Sequence, residues 1–145
     1  MKEWFNITIG CIGACIASIY GGWDMSLTTL CICMGVDYLM GLLIAGLFKK
    51  SKKSKSGALS SDACWKGLCK KGITLLIVLI AHRIDLMFDT TYIRDATCIA
   101  YIVNELISIC ENCQVMGIPM PKVITKAIGV LKEDDEKKAD KVGKE

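Results

Sequence analysis

The chain has 145 residues, of which 52% are apolar, and its mean hydropathy is +0.42. A soluble domain of this size cannot bury that much apolar surface together with three long, almost uncharged runs, so the composition argues against an ordinary soluble enzyme. Only two prolines occur, both near the end, and the Gly- and Pro-rich punctuation of β proteins is absent. The sequence therefore predicts an all-α integral membrane protein.

Three apolar runs have the length of a membrane span, at about 4–22, 26–48 and 72–88. Small residues let helices approach closely, and they recur every four residues in the first run. In the second run a glycine lies one turn from a carboxylate. The predicted helix-packing positions are Gly10, Ala14, Ser18, Gly22 and Gly41.

Lysines crowd the segment 49–71, between the second and third runs. A basic run can indicate nucleic-acid binding, but here only Trp65 is an interleaved aromatic residue. A position between two spans is typical of a cytoplasmic topology signal, so we expect lipid and no nucleic acid as a partner. A short amphipathic helix at 64–71 would lie along the membrane surface. The predicted membrane-surface basic residues are Lys49, Lys50, Lys52, Lys53, Lys55, Lys70 and Lys71.

Ionisable residues occur inside the second and third runs. Asp37 lies about 11 residues into its run, and a charge at the centre of a span costs about 2.5–3.5 kcal/mol on insertion scales. It should therefore face a partner or water. His82 and Asp85 share a helix face near the end of the third run. A structural role and a proton-relay role for the histidine both stay open.

A fourth predicted helix, about 96–116, is amphipathic and ends at a Gly-x-Pro-x-Pro sequence. One face is apolar. The opposite face supplies the pore-lining candidates Asn104, Glu105, Ser108, Glu111 and Asn112. This helix could cross the bilayer with its polar face toward water, or lie flat at the interface.

An interfacial basic helix is expected at 122–131, followed by a disordered charged tail at 132–145, so residues 1–131 form a single helical membrane domain. Placing the lysines inside predicts four spans with both termini cytoplasmic. Asp37 and Glu105 then lie at similar depth. One copy has too few helices to enclose a wide aqueous lumen, so a lumen there implies a homo-oligomer.

Nine cysteines are present, mostly within apolar runs. Packing between membrane helices accounts for them. Cys110 and Cys113 form one C-x-x-C pair on a helix, whereas zinc ribbons use two such pairs on loops, so no metal site is expected. No nucleophile–base pair or phosphate loop occurs, and we expect no catalytic residue and no cofactor. A membrane dithiol oxidoreductase stays open as an alternative.

Three stretches, 36–50, 66–85 and 104–122, together resemble the phage lysis and toxin-secretion holin family. The resemblance rests on D-Y-x-x-G, G-x-x-K-K, H-x-x-D, N-E-x-x-S-x-x-E-N and G-x-P-x-P. The matching positions are Asp37, Gly41, Lys70, Lys71, His82, Asp85, Asn104, Glu105, Ser108, Glu111, Asn112, Pro119 and Pro121.

The resemblance implies a small non-enzymatic protein of the bacterial cytoplasmic membrane. Such proteins assemble with themselves and open lesions that release an endolysin or a toxin, without a required direct contact. Three other interpretations remain: a dithiol oxidoreductase, a small ion-coupled exporter using Asp37 and Glu105, and a structural membrane protein without a pore.

Overall fold

The computed structural model describes residues 1–48 and 60–142. Every regular element in these two ranges is helical, which confirms the all-α prediction for this part of the chain. A π-helical segment, Ile44–Phe48, directly continues the second helix. The helices are α1 (Lys2–Ile19), α2 (Met25–Leu43), α3 (Ser61–Phe88), α4 (Ile93–Met116) and α5 (Lys122–Val142).

Helices α2, α3 and α4 form a bundle in which α4 packs against both of the others and also against α5. The bundle core is made of side chains from all three helices. Leu30, Val78 and Cys98 are completely buried, and Leu27 and Ile102 pack beside them. The apolar positions of the three sequence segments therefore supply one shared core.

Helix α1 has no buried residue among those that the structure describes. Its large apolar side chains project outward, with Trp4 77% and Ile12 55% exposed. At the two glycines of the predicted packing stripe, Gly10 and Gly22, an added Cβ would touch nothing within 4 Å. An apolar helix of this kind needs lipid or another protein to cover it.

One helix of the described chain, Met25–Phe48, is long and apolar enough by length and composition alone to cross a membrane. The sequence analysis predicts three such helices. The difference arises from charged residues, because α1 begins with Lys2 and Glu3, and the uncharged stretch of α3 between Lys71 and Arg83 is shorter than a membrane span.

Two helices extend beyond their predicted limits. Helix α3 is continuous from Ser61, so it joins the predicted surface segment 64–71 to the third apolar run. Helix α5 continues to Val142, through residues assigned from the sequence to a disordered tail. Glu133 and Lys137 are four residues apart, a spacing at which opposite charges favour helix. The predicted surface residues from Lys49 to Lys55, and positions 143–145, lie outside the described residues.

Candidate functional site

Helices α2, α3 and α4 converge on the ammonium group of Lys71. Its Nζ donates hydrogen bonds to Asp37 Oδ2 on α2, at 3.0 Å, and to Glu105 Oε2 on α4, at 2.5 Å. The side chains of the lysine, aspartate and glutamate are only 14%, 6% and 11% exposed. One lysine therefore holds two carboxylates together inside the bundle. We call Asp37, Lys71 and Glu105 the ionic cluster.

The second carboxylate oxygen of Asp37 is bonded to α4. Ser108 Oγ donates to Oδ1 at 2.6 Å, and Asn112 Nδ2 donates to the same atom at 3.0 Å. Ser108 and Asn112 are four residues apart, so both project from one side of α4. The aspartate thus receives hydrogen bonds from two helices, as a buried carboxylate requires.

The polar face of α4 is divided between the inside and the outside of the bundle. Glu105 is buried and Ser108 and Asn112 are half-buried, whereas Asn104 and Glu111 are exposed. At about 100° per residue the first three occupy one edge of the face and the other two the opposite edge. The packing of α4 therefore places one edge on Asp37 and leaves the other free to meet another molecule.

Removing one member of the ionic cluster has a different consequence from removing all of it. A buried ion pair contributes little net stability because desolvation offsets the attraction, but a buried charge that loses its partner is strongly destabilising. Without Lys71, the carboxylates of Asp37 and Glu105 would lie close together with no cation between them. The cluster therefore holds the three helices together while Lys71 is in place, and its two carboxylates would repel each other if the lysine charge were removed.

A cleft of about 440 Å³ adjoins the ionic cluster, between α2 and the N-terminal half of α3. Its walls combine larger apolar side chains with four small residues: Gly41 on α2, Ala45 on the π-helical segment, and Ala63 and Gly67 on α3. Tyr38 spans the cleft, and its hydroxyl donates to the carbonyl oxygen of Cys64 at 3.4 Å. Gly41, a predicted helix-packing position, is thus a wall of this cleft.

Asp85 caps the N-terminus of α4 from the end of α3. Its Oδ1 accepts from the hydroxyl of Thr90 at 2.6 Å and from Ile93 N at 3.0 Å, and its Oδ2 accepts from Arg94 N at 2.8 Å. The first turn of a helix has backbone N–H groups without intrahelical partners, and Asp85 satisfies two of them. Asp85, which the sequence predicts as a pore-lining or intramembrane polar residue, is buried and connects α3 to α4, away from the ionic cluster.

His82 packs against the turn that links α1 to α2. A Cβ at Gly21 would overlap the His82 ring, and Gly21 has a φ of +80°, so glycine meets both the steric and the backbone requirement there. The H-x-x-D pair therefore fixes two loops, His82 holding one and Asp85 the other.

Arg94 links the same two loops and is 8% exposed. Its guanidinium donates to the carbonyl oxygen of Tyr20 at 2.7 Å and forms an ion pair with Asp24, which also caps α2 through Leu27 N at 2.9 Å. Neither Asp24 nor Arg94 is among the site residues predicted from the sequence. The signal for Asp24 was present, since an aspartate just before an apolar helix is a typical N-cap.

Lys70 and Lys71, the two lysines before the apolar stretch of α3, differ in their exposure. Lys70 is exposed, as expected of a surface lysine, whereas Lys71 lies in the ionic cluster. Their side chains point in different directions because successive residues of a helix are about 100° apart.

Cys110 is half-buried and Cys113 is buried, and both are free thiols. Among the described residues, no three His, Cys, Asp or Glu side chains are grouped so that they could hold a metal ion.

Comparison with known protein families matches residues 14–133 to the model described as the bacteriophage holin family. The matched range contains α2, α3, α4 and the ionic cluster, and excludes most of α1.

Several curated proteins are similar over most of their length. An uncharacterised protein of Clostridium perfringens is 36% identical over 83% of this chain and 84% of its own. An uncharacterised protein of Listeria monocytogenes is 38% identical over 89% of each chain. A protein of Bacillus phage phi105 named as a probable holin is 33% identical over 73% of each chain. No solved structure matches the chain.

Proposed function

The chain belongs to the bacteriophage holin family, and on that premise we propose that it is a holin that assembles in the bacterial cytoplasmic membrane and opens lesions there. An endolysin or a toxin would leave the cell through these lesions without a required direct contact. The observation that carries the proposal is the family match over residues 14–133, which includes the whole three-helix bundle. Its action is to change membrane permeability, not to make or break covalent bonds.

Four membrane-crossing helices fit this function. Helix α2 is apolar enough by itself. Helix α3 has 28 residues, about 42 Å at a rise of about 1.5 Å per residue, which exceeds the hydrocarbon thickness of about 30 Å. The charge of Lys71 is paired within the bundle, and Arg83 lies near the helix end, where its long side chain can reach the membrane surface. These features make α3 compatible with a span in spite of its charged residues.

Helix α4 crosses the membrane beside α2 and α3 in this proposal. It packs against both and shares the ionic cluster with them, which favours a crossing helix over one that lies alone at the interface. Lysine-rich segments on one side of the membrane then place both termini in the cytoplasm. Helix α5 follows on that side as an interfacial helix.

Assembly of several copies is the second part of the proposal. Within one copy, Asp37 and Glu105 form ion pairs with Lys71 and border the 440 Å³ cleft. Asn104 and Glu111 remain exposed on α4 and would be unfavourable against lipid. A ring of copies that brings these polar edges together can enclose water, which a single bundle cannot.

Two other functions make different predictions. A dithiol oxidoreductase would need both Cys110 and Cys113, so replacing both with serine would abolish its activity, whereas a holin would still permeabilise cells. A small ion-coupled exporter would pass small solutes but retain folded proteins.

Inducible expression in a bacterium that also produces a cytoplasmic endolysin tests the proposal. We expect a delay followed by abrupt lysis that requires both proteins. Cells with either protein alone are the controls. Continued growth with correctly inserted chain and active endolysin would contradict the proposed function.

A further inference from the structure

The two halves of α3 are attached to the bundle in different ways. The C-terminal half is fixed by the buried Val78 and Ala81 and by the Asp85 cap on α4. At its start, the hydroxyl of Tyr20 donates to the carbonyl oxygen of Leu75 at 3.1 Å. Helix α3 is therefore anchored from about Leu75 to its end.

The N-terminal half of α3 stands apart from α2 across the 440 Å³ cleft. Among the described residues, the Tyr38–Cys64 hydrogen bond and the salt bridge from Lys71 to Asp37 cross this space. Leu42, Ile73 and Ile77 line the cleft, so the two helices face a cavity here instead of packing tightly against each other. The charge of Lys71 thus has a large share in holding this half of α3 in place.

The ionic cluster contains two carboxylates and one ammonium group, so its fully ionised form has one excess negative charge. Buried charges of like sign at this separation repel strongly unless the cation remains between them. The structure shows the closed arrangement, with the lysine inserted; in an open arrangement, with the lysine withdrawn, the carboxylates would have to separate and be hydrated.

From this asymmetry we propose that Lys71 is a latch. With the latch closed, the polar groups of Asp37, Glu105 and Ser108 are satisfied within one copy. When Lys71 withdraws, the N-terminal half of α3 moves away from α2 about its anchored C-terminal half, and the two oxygens that accept from the lysine, Asp37 Oδ2 and Glu105 Oε2, become available to neighbouring copies. The inference rests on the proposed function and names the step that precedes lesion formation.

Accumulation of the protein would favour the open state. An isolated open copy holds the two carboxylates close to lipid without the lysine charge, which is costly, whereas adjoining open copies can share water around them. Anything that binds one of two states shifts the equilibrium toward it, and here the binding partner is a second copy. The latch therefore makes opening depend on the concentration of protein in the membrane.

The first test changes Lys71 and compares it with another lysine of α3. Lys71→Met removes the latch charge, and Lys66→Met makes the same chemical change at an exposed position of α3 that does not line the cleft. At equal amounts of inserted protein, we expect Lys71→Met to shorten the delay before lysis to less than half, and Lys66→Met to leave the delay close to that of the unmodified chain. Equal delays for the two variants would overturn the latch.

The second test cross-links α2 to α3 across the cleft, and it does not require the Lys71→Met variant to fold. A Cβ at Gly67 would lie 3.6 Å from the Tyr38 ring. In a cysteine-free chain that still lyses cells, Tyr38→Cys with Gly67→Cys can be joined by a short, reducible bifunctional thiol reagent. We expect the cross-link to prevent lysis and a reductant to restore it, with Gly67→Cys alone as the control. Undiminished lysis by the fully cross-linked protein would overturn the proposal.

The cross-linking yield also separates failure of the latch from failure of the proposed function. Adding Lys71→Met to the 38–67 pair should lower the yield severalfold in isolated membranes, whether or not cells lyse. A reduced yield without lysis by the unmodified chain would support the latch and contradict the holin function. An unchanged yield in a chain that lyses cells would overturn the latch alone.

Discussion

Asp85 offers a direct test of how the loops of the bundle are held. Asp85→Asn keeps the size of the side chain but replaces one acceptor oxygen with an NH₂ group. The carboxylate now accepts three hydrogen bonds, two of them from backbone N–H groups at the start of α4. Because an amide has a single acceptor oxygen, the asparagine cannot accept from both the Ile93 and the Arg94 backbone N–H groups in the way that the two carboxylate oxygens do.

The expected loss follows from these contacts. A hydrogen bond to a charged group contributes about 1.5–3 kcal/mol, and a buried donor left without a partner costs about 1–3 kcal/mol. Asp85 is only 4% exposed, so water cannot readily replace the lost acceptor. We expect Asp85→Asn to lower the free energy of unfolding by about 2–4 kcal/mol.

The assay is unfolding of the purified chain in mixed micelles, followed by loss of helical circular dichroism as a denaturing detergent is added. Asp89→Asn is the matched control, since it makes the same change four residues later at an exposed position. Asparagine also tolerates the left-handed backbone of residue 89, where φ is +53°. Equal stabilities for the two variants would refute the assignment of Asp85 as the cap of α4.

Two further predictions concern the loop of Gly21 and the outer edge of α4. Gly21→Ala should lower the free energy of unfolding by about 1–3 kcal/mol more than Gly22→Ala does. Both substitutions strain a backbone with positive φ, but only the alanine at position 21 would overlap the His82 ring. Equal losses of stability in the micelle assay would exclude the contact between Gly21 and His82. Replacing both Asn104 and Glu111 with leucine should leave insertion unchanged but abolish endolysin-dependent lysis, measured by culture turbidity, and normal lysis would show that this edge does not line the lesion.

Sequence reasoning went furthest where a periodicity or a terminating residue determined the structure. The helix-terminating sequence at 117–121 predicted the end of α4, and the observed helix ends at Met116. The depth argument for Asp37 and Glu105 anticipated two carboxylates at one level of the bundle, and the structure brings both to a single nitrogen atom.

The identity of that nitrogen could not be predicted in the same way. Lys71 follows Lys70 and belongs by composition to a basic loop, so the sequence places both at the membrane surface. Only the rotation of α3 decides which of them turns inward, and that rotation is set by contacts far away in the chain. Helix periodicity alone could have raised the question, because Lys71 and Val78 are seven residues apart and share a face.

The roles of His82 and Asp85 were hidden for a related reason. Ionisable groups in an apolar run suggest function, but these two satisfy local requirements of the loops. His82 contacts a glycine about 60 residues earlier in the chain, and Asp85 caps the following helix. Such roles depend on the geometry of the loops, which the periodicity of side chains along a helix does not predict.

The most direct test of the central claim is the location of a folded, catalytically inactive endolysin during expression of this chain. Inactive enzyme cannot degrade the wall, so its movement reports the membrane lesion alone. We predict that it passes from the cytoplasm to the cell-wall fraction at the time when active endolysin causes lysis. The account would be contradicted if the inactive enzyme stayed in the cytoplasm although the chain was inserted in the membrane, and if cells with active endolysin also failed to lyse.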